Sequence, residues 1–285
     1  MKYIIVAKNI FDGTSTNDVP NPLAITEIAT ELVITRLYLI MLLQEGAIST
    51  DDCIVTTEER KCLYTNIFKN VLDYKQFIQL GIQPEQIIDF LENSLFDRLS
   101  AGSVDSRLIP YKPFYKNWER DKELIKNVSC SSLDGYDLSQ PFVALVIRKR
   151  AAWSEKNMSD GFWTELINKL TENKKTVFVF GKETNTWANG KNVQYIANYQ
   201  DWCTIVQHEN CKHVASTMTG GVYPCLIFGN SNIDMTLIDN TQLMAKHGGD
   251  PSFYDECINF SKVKIEYINE IPTIEQFYGR ITKNL

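Results

Sequence analysis

The sequence has no uninterrupted hydrophobic run long enough to cross a bilayer. Its most apolar helix candidate, residues 32–43, contains Arg36 and falls well short of the roughly 20 residues that a spanning helix needs. The apolar run near the N-terminus, residues 3–7, is too short for a signal peptide, so we expect a cytoplasmic protein without a transmembrane segment. Positive charge is not in excess either. The formal net charge of −6 disfavours general binding to nucleic acid or to a membrane surface.

Disulfide, metal and several catalytic patterns are also missing. The seven cysteines form no C-x-x-C pair and have no histidine at metal-ligand spacing, so we expect reduced thiols in the core and no bound metal. The three histidines are not spaced as a metal-binding set. The absence of a P-loop, of a strand-linked G-x-G-x-x-G and of a G-x-S-x-G elbow disfavours a P-loop ATPase, an ordinary dinucleotide oxidoreductase and an α/β hydrolase.

Short β-branched runs alternate with amphipathic segments in the first half of the chain. A strand, a helix, a second strand and a second helix follow one another, which is the βαβ pattern. Thr56 and Glu59 have the spacing of a capping box, which predicts that the second helix starts there. The predicted elements are strands 2–7 and 52–56, helices 23–45 and 56–72, and a third helix that begins at Pro84.

The second half repeats this alternation with more apolar strands. The predicted strands are 142–147, 176–181, 193–197, 213–217 and 233–239, with helices between them and a last helix that begins at Pro272. Continuous apolar strands are typical of a parallel sheet that is covered on both faces. Because periodicity fades between residues 100 and 140, we expect two domains, 1–138 and 139–285. The predicted fold class is α/β, with two Rossmann-like βαβ domains, mostly parallel sheets and a C-terminal helix.

Basic, hydroxyl and glycine residues follow the strands of the second half. Ligands of open α/β sheets bind beyond the carboxyl ends of the strands, guanidinium groups bind phosphate, and a helix N-terminus offers N–H groups to an anion. These residues therefore predict a diphosphate site. A solvated charge run and a plain turn remain alternative interpretations. The candidate residues are Arg148, Lys149, Arg150, Lys182, Ser216, Thr217, Thr219, Gly220 and Gly221.

Four segments carry a resemblance to a known family. They are "VIRKR" followed by an asparagine, "FWTELINKL", "VFVFGKE" and "STMTGGVYPCLIFGN". Together with the two βαβ-containing halves, they resemble the GT-B glycosyltransferases, most closely the donor-binding half of the heptosyltransferase-like and fucosyltransferase-like branches. The resemblance covers residues 141–240 and extends to the first half in outline.

The resemblance implies that the residues named above bind the diphosphate of a nucleotide sugar, with no further cofactor. In heptosyltransferase-like enzymes, an aspartate after the first strand acts as general base on the acceptor hydroxyl. Asp12 has the comparable position here and Asp18 is the second candidate, although Asp12 next to Gly13 is also typical of an ordinary turn. The acceptor, a glycan or another hydroxyl compound, would lie beside Asn9, Thr14 and Asn17.

The expected activity is metal-independent and inverting transfer of a sugar to a hydroxyl. Positive side chains take the place of a divalent cation beside the leaving diphosphate, because no Asp-x-Asp metal motif is present. Two other interpretations remain open. The same fold could act on another donor, as a pyruvyl transferase or a sugar epimerase, or it could be a non-catalytic binding scaffold. The sequence "VIRKRAAW", which stands where fucosyltransferases have "HxRxGD", is compatible with both alternatives.

Overall fold

The chain forms two compact units, Met1–Ser129 and Cys130–Leu285, in a computed structural model. The structure describes residues 1–7, 32, 35–89, 118–149, 157–181, 190, 192–239, 259–283 and 285. Ser131 and Tyr136 belong to the second unit, where both donate hydrogen bonds to Asp201. The domain limits expected from the sequence, 1–138 and 139–285, stay a prediction.

The first unit is built around a small parallel sheet. Its strands are β1 (Tyr3–Ile5), β2 (Cys53–Thr56), β3 (Asn70–Asp73) and β4 (Ile87–Asp89), in the order β3-β2-β1-β4. In the register, Tyr3 is opposite both Cys53 and Ile87. The central strands β1 and β2 are buried along their whole length, as expected for strands covered on both faces.

The helix predicted over residues 56–72 is wrong. A 3-10 helix occupies Glu58–Leu63, and residues 70–73 form β3 in parallel pairing with β2. Thr56 is the last residue of β2, and Thr57 is the N-cap of the 3-10 helix, so Thr56 does not have the N-cap position that the predicted capping box with Glu59 requires. The capping box of this region instead joins Asp73 and Gln76 at the start of the next helix. Pairing with β2 satisfies the backbone of residues 70–73, and this tertiary interaction overrides the local helical pattern.

The helix predicted to begin at Pro84 is also wrong. Pro84–Gln86 forms a 3-10 turn, and the chain continues directly into β4, which pairs with β1. The proline fits the first position of a helical turn, as expected from its fixed φ angle. Pairing with β1 and the partial burial of Ile87 and Ile88 then favour an extended backbone over a helix.

Three α-helices lie in the described part of the first unit. They are α1 (Arg36–Gln44), α2 (Tyr74–Ile78) and α3 (Trp118–Lys126). The buried helix predicted over residues 32–43 is confirmed for residues 36–43, of which Leu37, Leu39 and Ile40 are buried. Helix α3 lies in the region where the sequence showed no clear periodicity.

Arg36 is almost completely buried in the first unit, with 1% of its surface exposed. Its guanidinium donates to four backbone carbonyl oxygens, of Leu63, Leu124, Ile125 and Asn127. Three of these carbonyls lie at or just after the end of α3, where carbonyl groups lack partners inside the helix. The charge that interrupts the apolar helix α1 therefore joins α3 to the 3-10 helix at Leu63.

The second unit contains a six-stranded sheet in which every pair of neighbours is parallel. The strands are β5 (Phe142–Val146), β6 (Thr176–Phe180), β7 (Val193–Tyr195), β8 (Cys211–Thr217), β9 (Asp234–Ile238) and β10 (Lys264–Ile268), in the order β10-β9-β8-β5-β6-β7. Read from β7, this is the 3-2-1-4-5-6 order of doubly wound nucleotide-binding sheets. Strand β10 was not predicted, because its residues are only partly buried at the sheet edge.

Helices cover both faces of this sheet. They are α4 (Asp160–Glu172), α5 (Tyr199–Ile205), α6 (Tyr223–Phe228) and α7 (Ile274–Thr282). Trp163 of α4 and Phe277 of α7 pack on one face, against Val143 and Leu145 of β5. On the other face, the ring of Phe180 stacks on Trp202 of α5. The α/β fold class and the predicted C-terminal helix are confirmed.

Within the described ranges, no helix is long and apolar enough to cross a membrane. No disulfide joins the six cysteines of these ranges. Five of them are buried, which agrees with the predicted core positions. Cys130 is exposed, so the prediction of a core position is wrong for this residue. Burial raises the pKa of the Cys211 and Cys225 thiols, which keeps both in the neutral form.

Candidate functional site

The strand order of the second unit defines a crevice at the carboxyl edge of its sheet. The chain passes from β5 to β6 on one side, and β8 pairs with β5 on the other side. The order of the strands therefore reverses between β5 and β8, and ligands of open α/β sheets bind at such a switch point. Arg148 follows β5, and Thr217, the last residue of β8, leads into residues 218–221 at the same edge. The structure therefore brings together these two parts of the predicted site.

The turn at the end of β8, residues 217–221, is anchored to the strands on both sides. The Ser216 hydroxyl donates to the carbonyl oxygen of Val146 in β5 over 2.6 Å. On the other side, the Met218 N–H donates to the carbonyl oxygen of Ile238 in β9 over 3.2 Å. Ser216 is fully buried, and its hydroxyl proton is used in the hydrogen bond to Val146. The hydroxyl therefore fixes the start of the turn.

The turn leaves backbone donors at its open side. Thr219 is the N-cap of a 3-10 helix over Gly220–Val222, and its hydroxyl accepts a long bond of 3.5 Å from the Gly221 N–H. Among the residues that the structure describes, none accepts a hydrogen bond from the N–H groups of Thr219 or Gly220. Both residues are only partly buried. Thr219 is extended, with φ −147° and ψ 150°, so the N–H groups of Thr219 and Gly220 point in opposite directions. The Gly220 N–H, at the start of the 3-10 helix, is therefore the donor that an anion at this end of the helix would meet.

A second polar group of the turn lacks a partner. Thr217 is fully buried, and its hydroxyl oxygen has no hydrogen-bond partner in the described part of the chain. An unsatisfied buried hydroxyl costs about 1 to 3 kcal/mol, so such groups are normally satisfied by protein, water or ligand. Its position at the last residue of β8, beside the switch point, is compatible with a ligand as the partner.

Gly221 is closely packed on its inner side. A β-carbon at this position would lie 2.8 Å from Cγ1 of Val146, a distance below ordinary van der Waals contact. The Gly221 carbonyl oxygen accepts a hydrogen bond of 2.8 Å from the indole nitrogen of Trp202. The glycine predicted from the sequence is therefore required by the close approach of the turn to β5.

The cations after β5 differ in their surroundings. Arg148 is 8% exposed, and its Nη1 donates to the side-chain oxygen of Asn157. Lys149 is more exposed and forms an ion pair of 2.8 Å with Asp160 at the start of α4. Arg148 is thus held at the switch point by a side-chain amide, whereas the Lys149 charge is shared with a surface carboxylate.

Several predicted site residues lie outside the described residues. They are Asn9, Asp12, Thr14, Asn17, Asp18, Arg150 and Lys182. His247, which was not predicted to belong to the site, also lies outside the described residues. The other two histidines have structural positions. His213 is buried in β8 with its Nε2 3.0 Å from the Thr236 hydroxyl, and burial lowers its pKa to about 4 despite the nearby Asp234. His208 accepts a hydrogen bond from the Asn210 N–H.

The sequence interpretation did not include Trp202 or Asn157 among the site residues. Trp202 was not singled out, and Asn157 entered only as the asparagine that follows "VIRKR" in the family resemblance. Trp202 contacts Gly221, and Asn157 contacts Arg148. The two residues of each pair are 19 and 9 positions apart in the sequence. No local motif marks such contacts, although an aromatic residue with a polar N–H on a buried helix face often signals a hydrogen bond.

Comparisons with known proteins identify the fold. No family model matches the sequence, and no curated protein matches it. Among solved structures, a glycosyl transferase family 9 protein from Veillonella parvula DSM 2008 aligns over 100% of this chain and 90% of its own, with a TM-score of 0.53 and 9% identity. E. coli heptosyltransferase WaaC with ADP aligns over 100% of both chains, with a TM-score of 0.51 and 12% identity. The GT-B-like fold expected from the sequence is thereby confirmed.

Proposed function

We propose that this protein is a glycosyltransferase that transfers a sugar from a nucleotide diphosphate sugar to an acceptor hydroxyl. The observation that carries the proposal is the combination of Arg148 with the donor-bearing turn 217–221 at the switch point of a GT-B-like sheet. One of the similar structures, heptosyltransferase WaaC, was solved with ADP. The shared fold and the local chemistry of this chain agree on the same class of donor.

The diphosphate is held by charge and by backbone donors. The guanidinium of Arg148 can form two parallel hydrogen bonds with a phosphate, and Asn157 already orients it. The Gly220 N–H and the hydroxyl of Thr217 bind a second set of phosphate oxygens. In this proposal, Ser216 and Gly221 shape the turn, while Lys149, Arg150 and Lys182 add positive charge around the nucleotide.

The reaction is a single displacement at the anomeric carbon. The acceptor oxygen forms the new bond as the bond to the diphosphate oxygen breaks, and the leaving nucleoside diphosphate takes the electron pair. Preorganised cations and N–H groups stabilise this developing charge without a metal ion. A single displacement inverts the anomeric configuration.

The acceptor side of the proposal depends on the resemblance to heptosyltransferase-like enzymes. Asp12 removes the proton of the acceptor hydroxyl, with Asp18 as the second candidate for this role. Asn9, Thr14 and Asn17 bind the acceptor beside it. Mutation of Asp12 to Asn should therefore abolish transfer while nucleotide affinity is retained.

The first test is a thermal-shift panel of nucleoside diphosphates and their sugar conjugates. A ligand that binds the native state at a hundredfold excess over its Kd stabilises it by about 2.7 kcal/mol. We expect one nucleotide to raise the Tm of the parent and to have little effect on Arg148→Ala. Lys169→Ala is the matched control, because Lys169 forms an ion pair with Glu275 on the helical surface and lies outside the proposed site.

The second test measures release of the nucleoside diphosphate from the stabilising sugar conjugate in the presence of candidate hydroxyl acceptors. Acceptor-dependent release by the parent and its loss in Asp12→Asn are expected. If no nucleotide shifts the Tm of the parent, the glycosyltransferase proposal fails and a non-catalytic scaffold becomes the better explanation.

A further inference from the structure

The indole of Trp202 links helix α5 to the turn 217–221. Trp202 is fully buried, and its Nε1 donates to the Gly221 carbonyl oxygen over 2.8 Å. Carbonyl oxygens carry partial negative charge and repel an anion, whereas the N–H groups of the same turn attract it. A donor that binds the Gly221 carbonyl therefore fixes the direction of this carbonyl group. It thereby also fixes which groups of the turn, carbonyl or N–H, face the crevice.

The ring of Trp202 is itself fixed from the side of β6. It is stacked on Phe180, with ring centroids 5.3 Å apart and planes 19° from parallel. Phe180 is the last residue of β6, which neighbours β5. The indole thus lies between the carboxyl end of β6 and the turn after β8, and its N–H has a single orientation toward Gly221.

Helix α5 is held in place by a buried carboxylate next to Trp202. Asp201 accepts hydrogen bonds from the Ser131 hydroxyl and the Tyr136 hydroxyl, each over 2.7 Å, and from the Asn198 amide over 3.0 Å. Its own N–H donates to the Asn198 side chain as an N-cap contact. These bonds join the first turn of α5 to Ser131 and Tyr136, and so tie the helix that carries the indole to other segments of the second unit.

We infer that Trp202 is a positioning residue, which holds the Gly221 carbonyl away from the crevice so that the Gly220 N–H at the start of the same turn binds the diphosphate. This inference rests on the proposed function. It assigns no contact with the ligand to Trp202 itself. Its effect on binding is transmitted through one hydrogen bond to the turn.

The test compares two buried tryptophans. Trp202→Phe keeps an aromatic ring against Phe180 but removes the donor to Gly221. Trp163→Phe is the matched control, because Trp163 is also fully buried and its Nε1 has no hydrogen-bond partner among the described residues. Both variants lose the same atoms from a core, and the control lies on the α4 side of the sheet.

Two measurements separate positioning from general destabilisation. Calorimetry with the stabilising nucleoside diphosphate, below the Tm of every variant, should give a Kd about tenfold higher for Trp202→Phe, as expected for loss of one net hydrogen bond. The Kd of Trp163→Phe should stay within about twofold of the parent. Without ligand, amide hydrogen exchange at residues 218–222 should be faster in Trp202→Phe and unchanged in Trp163→Phe.

The outcomes distinguish this inference from the proposed function. An unchanged Kd in Trp202→Phe, or equal losses of affinity in both variants, would overturn the positioning role. If the parent binds no nucleoside diphosphate, the proposed function fails, and the exchange measurement alone then decides whether Trp202 holds the turn. Unchanged amide hydrogen exchange at residues 218–222 in Trp202→Phe would refute the claim that Trp202 holds the turn.

Discussion

Val146 and Gly221 lie so close together that a β-carbon on Gly221 would be 2.8 Å from Cγ1 of Val146. Val146 is the last residue of β5 and is almost completely buried. Its β-branched side chain has few alternative rotamers, so the contact cannot be relieved by rotation of the side chain. The end of β5 therefore sets how closely the turn after β8 approaches the switch point.

Gly221→Ala should displace the turn and weaken binding of the stabilising nucleoside diphosphate by about tenfold or more, since overpacking typically costs 1 to 3 kcal/mol. Calorimetric Kd values would measure this. The second substitution Val146→Ala removes the clashing methyl group, so the double variant should regain part of the lost affinity.

Gly279→Ala is the control for this prediction. A β-carbon on Gly279 in α7 meets no atom within 4 Å, and alanine is favoured over glycine inside a helix by roughly 0.5 to 1 kcal/mol. This variant should be slightly more stable than the parent and should bind the nucleotide equally well. Equal affinity of Gly221→Ala and Gly279→Ala would contradict the packing argument.

Arg36→Ala should destabilise the first unit by at least about 3 kcal/mol, because it leaves four carbonyl groups without their charged donor. Arg36→Lys should be intermediate, because an ammonium lacks the planar fork of a guanidinium. The free energy of unfolding in urea and amide hydrogen exchange in residues 35–89 would measure the effect.

The matched control for Arg36 is Arg280→Ala. Arg280 forms an exposed ion pair with Glu266, and exposed pairs contribute at most about 1 kcal/mol. If Arg36→Ala proved as stable as Arg280→Ala, the four carbonyl contacts of Arg36 would have no net effect on stability.

The stability of the fold should fall with acidification through the titration of His213. Burial lowers its pKa from 6.5 to about 4, so the unfolded chain binds this proton at higher pH than the folded chain. The contribution is present above pH 6.5 and is lost between pH 6.5 and 4, by up to about 3 kcal/mol at 1.36 kcal/mol per pKa unit.

Urea unfolding at a series of pH values would measure this dependence. His213→Gln cannot titrate and retains an amide that can contact Thr236, so its unfolding free energy should decline less over the same pH range. Identical pH profiles for the parent and His213→Gln would show that another group causes the acid sensitivity.

Tyr136→Phe should destabilise the second unit by about 1 kcal/mol, because Asp201 loses one of its three side-chain donors. Burial, together with the charge of Asp201, raises the pKa of Tyr136 from 10.0 to about 12. The stabilising contribution of the neutral phenol is therefore present below pH 10 and is lost as the pH rises toward 12.

The ultraviolet absorbance of ionised tyrosine measures this titration. The parent should contain one phenol that ionises late in the folded state, and Tyr136→Phe should lack it. A difference titration in which the missing tyrosine ionises near pH 10 would contradict the hydrogen bond to Asp201.

The strands of the second unit could be predicted because their local pattern and their tertiary environment agree. Residues 142–146 and 177–179 are continuously apolar and buried on both faces. In the first unit, residues 70–73 and 87–89 form short strands that the sequence indicated as helical. Their extended conformation depends on pairing with β2 and β1, and no local pattern contains that information.

The candidate site also has one part that the sequence predicted and one part that it did not. Arg148 and the Thr-Gly-Gly segment could be selected because each follows an apolar strand, and parallel strands end at one edge of a sheet. The contacts of Trp202 with Gly221 and of Asn157 with Arg148 could not be predicted from the sequence. They depend on how α5 and the segment before α4 pack against the sheet.

The sequence by itself determined the α/β class, the alternation of strands and helices in the second half, and the chemistry available after β5 and β8, because hydrophobic periodicity and residue type are local properties. Only the tertiary structure decided the strand order, the switch point between β5 and β8, and the use of buried polar groups such as Arg36, Ser216 and Trp202. The physical reason is that a buried donor must find an acceptor, and the acceptors of these groups are provided by segments that are distant in the sequence.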